Sequence, residues 1–221
     1  MSADVIVSYD GTANDEDALA LAELLYATGA RLALAYVRHA REGDPARERI
    51  AQHDAEQLLE RGAAQLPGEV ARHVILDPST PAGLRGLADA EGATMIVFGS
   101  EYRTSPGRAE PGTSAQALLE GGPLAVAVAA AGLRALGNGR LGTIALASDG
   151  EDGAAEETAA LLAEKLGARM AEPGTDADLI VVGSQPGGPR GRISLGGAAR
   201  AALNTRRGSV LVVPGQAPPR L

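Results

Sequence analysis

The sequence predicts an α/β protein built on a mostly parallel sheet, and three observations support this. Short apolar segments alternate with longer segments of helical character along most of the 221 residues. The segments VIVSY, MIVFG and LIVVG are almost continuously apolar, which is typical of parallel strands covered by helices on both faces. The same order of segments then occurs twice, so we expect a duplicated sheet unit.

The first copy contains the longer series of elements. Strands are predicted at residues 5–9, 31–37, 70–76, 95–98 and 124–128, with a long charged helix from Pro45 to about residue 65. Ser79-Thr80-Pro81 predicts a helix start, because a hydroxyl caps free amides and proline fits the first turn. The acidic runs at 15–17 and 156–157 are expected to complement the helix macrodipole.

Two kinds of landmark recur at matched positions. Asp-Gly follows the first strand of each copy, at Asp10 and at Asp149. Gly99 and Gly112 are 13 positions apart, and so are Gly183 and Gly196. Both copies then reach an apolar strand, LAVAV at 124–128 and SVLVV at 209–213. We interpret the chain as a duplicated unit.

The second copy is predicted to be truncated. Asp10 and Gly99 are 89 positions apart, whereas Asp149 and Gly183 are 34 apart, so the second copy lacks 55 residues. Of the missing part it retains only a short stretch near 168–171. The segment at 130–140, which precedes the second copy, is small, polar and glycine-bearing and indicates a linker. We therefore predict a complete domain at 1–130, a linker at 131–140 and a truncated domain at 141–221.

Composition excludes several classes of protein. Aromatic residues make up only 2% and the net charge is −8, which disfavours base stacking and binding to nucleic acid. There is no cysteine, so disulfides, thiolate metal sites and a cysteine nucleophile are excluded. No apolar run approaches the length of a membrane span and no leader pattern is present, so we expect a soluble cytoplasmic protein without membrane contact. The common catalytic and phosphate-loop motifs are absent, so no catalytic residue is predicted.

A binding site is expected where the first and fourth strands of the first copy end. Ligands of parallel sheets bind at the carboxyl ends of strands. Asp10 lies at one such end, and Gly99-Ser100 lies at another, leading through a polar loop to Gly112-Thr113-Ser114 at a helix start. A carboxylate accepts the hydroxyls of a ribose, and free amides at a helix start bind phosphate oxygens. The set suits a nucleotide.

These residues resemble the universal stress protein family. The pattern strand, Asp-Gly, helix, and later Gly-x2-Gly-x9-Gly-Ser/Thr is similar to that family, here as a tandem. The resemblance implies a five-stranded parallel sheet of order 3-2-1-4-5, like the adenine-nucleotide α-hydrolases, and members that bind ATP as well as members that do not. It implies that Asp10 binds ribose and that the backbone of Val37 meets adenine. The phosphate contacts implied are Gly99, Ser100, Gly112, Thr113 and Ser114, with ATP, together with Mg, as the cofactor.

Departures from the pattern leave the function open. Tyr102 stands where the resemblance calls for the second glycine; in the second copy this position is Pro186, and Gly197 replaces the hydroxyl residue. One hypothesis is a non-catalytic stress-response regulator that binds an adenine nucleotide in its first domain. The alternative is a nucleotide-free interaction module with degenerate sites. An adenylate-handling enzyme of a related fold is a third and weaker hypothesis.

The duplication also suggests how the copies associate. If the last strands pair edge to edge, the two domains form an internal dimer that covers both open edges. The outer edge of the truncated copy, near 144–147, would be left bare, and we expect a homodimer there. The last 43 residues contain no Asp or Glu and six arginines, which is consistent with solvated arginines or with an anion-facing surface.

Overall fold

A single nine-stranded sheet forms the centre of the molecule. The computed structural model describes residues 2–136, 140–148, 150, 153–172 and 174–221, without the side chains of Leu136 and Ala198. The elements are β1 (Val5–Ser8), α1 (Asp15–Tyr26), β2 (Leu32–Arg38), α2 (Pro45–Ala63), β3 (Ala71–Leu76), α3 (Thr80–Glu91), β4 (Met95–Phe98), α4 (Thr113–Leu119), β5 (Ala125–Val128), β6 (Thr143–Ala147), α5 (Gly153–Leu166), β7 (Arg169–Met170), β8 (Leu179–Val182), α6 (Gly197–Thr205) and β9 (Ser209–Val212).

The strand order is β3-β2-β1-β4-β5-β9-β8-β6-β7. The first five strands are parallel in the order 3-2-1-4-5, which confirms the predicted fold class. The last four strands repeat this order without its outermost member, and they too are parallel. The halves meet at β5 and β9, which pair antiparallel with Ala127 opposite Leu211. Nine strands are what a duplicated, shortened sheet produces.

Helices cover both faces of the sheet with small and branched apolar side chains. One apolar cluster joins α1 and α5 to one face, and the other joins α3, α4 and α6 to the opposite face. Every residue of β4, β5, β8 and β9 is buried. Both clusters contain residues from the two halves of the chain, so the core is continuous across the β5–β9 junction.

Two helices of the first half begin at residues whose side chains cap them. The Ser79 hydroxyl accepts a hydrogen bond from the amide of Ala82 at the start of α3, as the Ser-Thr-Pro sequence predicts. The Asp44 carboxylate caps α2 in the same way, through the amides of Ala46 and Arg47. These caps fix where each helix leaves the sheet edge.

The segment after β5 is anchored to α1, a contact that the sequence did not predict. Asp17 is 2% exposed. Its carboxylate accepts hydrogen bonds from the amides of Gly132 at 2.8 Å and Arg134 at 2.9 Å. A short 3-10 helix, Leu133–Leu136, follows. The first part of the predicted linker is therefore packed on the first half, whereas residues 137–139 lie outside the described residues.

The outer edge of the second half differs in detail from the expectation. The edge of β6 was expected to be bare, but β7 pairs with its first two residues, Thr143 and Ile144. The outermost strand is therefore β7. β7 has only two residues. The remainder of β6, from Ala145 to Ala147, therefore has no strand partner on that side within the described residues.

We predict that Asp17→Ala lowers the free energy of unfolding by about 2–4 kcal/mol, because two part-buried hydrogen bonds to a charged acceptor are lost. Urea unfolding measures this. The matched control is Glu156→Ala, which removes an exposed acidic residue from the first turn of α5 and costs only the helix-dipole contribution of about 0.3–1 kcal/mol. Equal losses in the two variants would contradict the anchoring role.

Candidate functional site

The predicted ligands from three strands lie at one edge of the sheet. The amide of Tyr9, just after β1, donates to Ala35 O in β2 at 2.9 Å. Asp10 and Val37 lie beyond this contact, towards the carboxyl ends of these two neighbouring strands. Val7 is in register with Val97, which places Gly99 on the other side of β1. The structure therefore brings Asp10, Val37 and Gly99 to the carboxyl edge, as the strand order implies.

Gly99 is required by a close approach within the protein. A Cβ at this position would stand 2.2 Å from the carbonyl oxygen of Asn14, which no side chain tolerates. The Asn14 side chain donates to the carbonyl of Ser100 at 2.8 Å. The β1–α1 and β4–α4 connections are thus packed against each other, and this contact accounts for the glycine without a ligand.

Asp10 and Asp15 form a pair of carboxyl groups beside this contact. An Asp15 oxygen accepts hydrogen bonds from the amides of Asp10, at 2.8 Å, and Thr12, at 3.1 Å. Burial, followed by the neighbouring Asp10 carboxylate, raises the pKa of Asp15 to about 7. Asp10 also accepts from the amide of Thr12 at 3.2 Å. The sequence predicted Asp10 at this edge, but not its second carboxyl group.

The Ser100 hydroxyl is directed into the protein. It donates to Ala129 O at 2.6 Å beyond the end of β5 and accepts from the amide of Glu110 at 3.2 Å. Ser100 is 5% exposed. Its side chain therefore closes the loop between β4 and α4, and the hydroxyl does not face a ligand at the sheet edge.

The loop at 99–112 satisfies half of its twelve backbone amides internally. Six amides donate to oxygen atoms of this chain, those of Glu101, Tyr102, Thr104, Gly107, Arg108 and Glu110. Amides that already have acceptors are not free to bind phosphate.

The left-handed positions of the loop are Arg103, with φ of 76°, and Gly107, with φ of 79°, and not Tyr102. Tyr102 is 74% exposed, and the Arg103 guanidinium lies 5.5 Å from its ring centroid. The missing glycine therefore imposes no left-handed backbone on the tyrosine. The strain, of order 1 kcal/mol, falls on the next residue.

Glu101 occupies the approach to the start of α4. Its Oε2 lies 2.9 Å from the point where a Cβ on Gly112 would stand, and its Oε1 accepts from the Tyr102 amide at 3.0 Å. A carboxylate at a helix N-terminus is favourable for the same reason that phosphate is. In the observed conformation the chain's own carboxylate therefore lies at the approach to this helix start.

Thr113 and Ser114 remain available. They open α4, where Gly112 provides no side-chain cap. Thr113 is exposed and Ser114 is half-buried, and neither hydroxyl has a hydrogen-bond partner among the described residues. Of the predicted phosphate contacts, these two side chains are the ones free to bind an anion.

The second loop has the same internal hydrogen bonds as the first, displaced by 84 positions. The matched donors are the amides of Gln185, Gly188, Gly191, Arg192 and Ser194, which correspond to those of residues 101, 104, 107, 108 and 110. The Ser184 hydroxyl donates to Val213 O at 2.9 Å, as Ser100 does to Ala129. Gly187 has φ of 80°, matching Arg103. The two loops therefore share one conformation.

In the second half, Pro186 lies at the position that corresponds to the Asp10 edge of the first half. A Cβ on Gly150 would stand 2.8 Å from Cγ of Pro186. The proline that replaces the expected glycine thus lies against the residue that follows the first strand of this half. Asp149, the predicted counterpart of Asp10, lies outside the described residues.

Each loop contacts the opposite half of the molecule through an arginine. The Arg108 guanidinium donates to the carbonyl of Asn204 in the last turn of α6. Arg192, 84 positions later, donates to the carbonyl of Gly121, just after α4, at 3.0 Å. Guanidinium groups at helix C-termini are electrostatically favourable. The arrangement is reciprocal, since each half supplies an arginine to the helix end of the other.

Backbone contacts strengthen this docking. The amide of Gly208 donates to Gly107 O at 2.8 Å, and Arg207 Nη2 donates to Pro106 O at 3.1 Å. Arg220 pairs with Asp4 at 3.5 Å. Several arginines of the acid-free final segment therefore bind the first half of the molecule.

Sequence reasoning missed Asn14, Asp15, Glu101 and Arg108. A signal for the last of these was present, because Gly107-Arg108 and Gly191-Arg192 are also 84 positions apart. The other three depend on contacts between separate connections, which no local pattern contains.

The fold agrees with comparison to known proteins. The model of the universal stress protein family matches residues 1–130. This is more than half of the chain, and the chain therefore belongs to that family. No curated protein matches at the sequence level.

Solved structures show the same fold over nearly the whole chain. A universal stress protein from Archaeoglobus fulgidus DSM 4304 has a TM-score of 0.70 at 14% identity, covering 98% of this chain and all of its own. A functionally unknown protein from Pseudomonas aeruginosa PAO1 has a TM-score of 0.63 at 18% identity, covering 97% and 93%. A putative universal stress protein from Pseudomonas aeruginosa UCBPP-PA14 has a TM-score of 0.60 at 17% identity, covering 97% and 94%.

Two further observations concern metals and membranes. Within the described ranges, no group of three or more His, Cys, Asp or Glu side chains is arranged to hold a metal ion. No helix in the described part of the chain is both long and apolar enough to cross a bilayer.

We predict that Asp10→Asn lowers the pKa of Asp15, because a neighbouring negative charge is removed. Between the ordinary pKa of 3.8 and about 7, folded wild type binds a proton that the unfolded chain releases, so its free energy of unfolding falls as pH rises through this window. The variant should show a smaller fall.

Carboxyl-carbon NMR titration and urea unfolding at several pH values measure both effects. Asp89→Asn, an exposed change on α3, is the charge-matched control. An Asp15 titration that is the same in wild type and Asp10→Asn would contradict the pairing.

Proposed function

We propose that the chain is a tandem universal stress protein, with a complete domain at 1–130, a linker at 131–140 and a truncated domain at 141–221. The matched loop bonds and the repeated strand order support this division. The likeness to solved structures over 97–98% of the chain supports it at the level of the fold. In this proposal the truncated domain is a built-in partner for the complete one.

We further propose that the protein is a cytoplasmic, non-catalytic stress-response regulator that acts through partner contacts and without a bound nucleotide. One observation carries this proposal. The two β–α loops have the same hydrogen bonds although only the first retains candidate nucleotide ligands, and both dock on the opposite half. The conformation of these loops therefore does not depend on those ligands, and several of their amides already donate to oxygen atoms of the chain. In this proposal the loops serve to assemble the two halves.

A second candidate is binding of an adenine nucleotide, ATP with Mg, by the first domain. The free hydroxyls of Thr113 and Ser114 at the uncapped start of α4 favour it. Asp10 would accept the ribose hydroxyls and the Val37 backbone would meet adenine, as the family resemblance implies. Glu101 is exposed and would have to rotate away from Gly112.

Calorimetric titration of the full chain with MgATP separates the two candidates. We expect no binding heat at millimolar ATP, because Glu101 and the satisfied amides leave too few phosphate ligands. Micromolar binding that is lost in both Asp10→Ala and Thr113→Ala, and retained in Asp89→Ala, would establish the second candidate. Glu101→Ala tests the obstruction itself and should be the variant in which any binding is strongest.

We also propose that copies of the chain associate through the part of β6 without a strand partner, giving a homodimer. Backbone groups of an open strand edge are available for pairing. Light scattering on the full chain should give twice the monomer mass. The amide of Ala171 donates to Ile144 O, so by strand alternation the backbone groups of Leu146 face the same, open side of β6. Leu146→Pro, which removes the donor on that side, is expected to shift the mass towards the monomer; Ala90→Pro on α3 tests for general unfolding. A monodisperse wild-type monomer would contradict this association.

A further inference from the structure

A cavity of about 1040 Å³ lies between the two halves of the molecule, apart from the Asp10 edge. The second half of α1 and the segment after β5 form one wall. The residues that lead into β6, β8 and β9 form the other. The first loop contributes only Gly107. Neither half alone provides the complete site, and domain interfaces are frequent locations of ligand sites.

The cavity has an apolar lining. Its apolar residues are Ala20, Leu24, Ala130, Leu133, Leu141 and Ala177. Leu24, Ala130, Leu141 and Ala177 are at most 8% exposed, so they form a floor that belongs to the core. Half of the apolar lining residues are alanines, whose side chains fill little of this space.

The charged groups around this floor number three of each sign but differ in their partners within the chain. Three arginines line the cavity, Arg134, Arg140 and Arg207, together with Glu23, Asp176 and Asp178. One Asp178 oxygen accepts from the Gly142 and Thr143 amides and from the Thr143 hydroxyl, at 2.8–3.0 Å. Asp176 accepts from the amide of Arg207 at 3.0 Å. One oxygen of each of these two carboxylates is thus bound by donors of the chain.

The arginines retain more capacity. Arg140 has no hydrogen bond or ion pair with another residue that the structure describes. Arg207 uses one of its two terminal nitrogens on Pro106, and the Arg134 guanidinium donates to the carbonyl of Ala13. A guanidinium has five donors in a fixed fork. Guanidinium donors without a partner in the described part of the chain are therefore present at this cavity, although the whole chain carries a charge of −8.

We propose that this cavity binds a small organic anion, with an apolar body on the floor and a carboxylate, sulfonate or phosphate group held by Arg140 and Arg207. The ligand would contact both halves and so reinforce their association. The site shares no charged ligand with the Asp10 edge, so this proposal stands or falls independently of nucleotide binding.

Titration of the full chain with 8-anilinonaphthalene-1-sulfonate, followed by fluorescence, tests the site. Octanoate should displace the dye, and octan-1-ol, which has the same chain length without the charge, should displace it at least tenfold more weakly. Arg140→Ala should raise the dissociation constant for octanoate about tenfold, since it removes a charged donor. Arg169→Ala, on the distant strand β7, is the matched control and should leave the constant unchanged.

Two further variants separate this cavity from other apolar surfaces. Ala20→Phe fills the floor without changing charge and should abolish displaceable binding, with the urea midpoint confirming that the variant is folded. Glu23→Gln removes the free carboxylate and should tighten octanoate binding. Absence of dye binding, or binding that is equal in wild type, Arg140→Ala and Ala20→Phe, would overturn the proposal.

Discussion

The antiparallel pairing of β5 with β9 is the contact on which the rest of the molecule depends. Each of these strands is an edge of its own half-sheet, and every one of their residues is buried in the joined sheet. An open apolar edge would be unstable in water. By pairing the edges, the chain makes one sheet with two continuous apolar layers, and it places the β4–α4 loop opposite the β8–α6 loop.

This placement explains what the glycine loops do. Because the halves are related by the antiparallel junction, each loop reaches the C-terminal end of the helix that follows the other loop. Arg108 and Arg192 occupy these two positions. The loop is closed from within by Ser100 and Glu101, so its conformation does not require a ligand. The shape of a phosphate loop is thus used for joining the two halves.

Much of the fold could be predicted from the sequence, because its signals are local. Apolar strands, the Ser79 cap and the matched glycine spacing are each visible in short stretches of sequence. The strand order was predicted from the family resemblance that these stretches support. The site was less predictable. Gly99 is a glycine because Asn14 approaches it, and the pKa of Asp15 is raised by burial and by the neighbouring Asp10 carboxylate. Such contacts join connections that are distant in sequence, and the pattern of a nucleotide site does not distinguish them from ligand contacts.

Hydrogen-exchange mass spectrometry on Arg108→Ala, in the absence of nucleotide, tests the central claim that the loop serves to dock the halves. The account predicts faster exchange in α6, Gly197–Thr205, because the helix end loses its guanidinium partner from the other half. Arg103→Ala, in the same loop but exposed at its tip, should leave α6 unchanged. Exchange that increases only within residues 101–110 of Arg108→Ala would contradict the account.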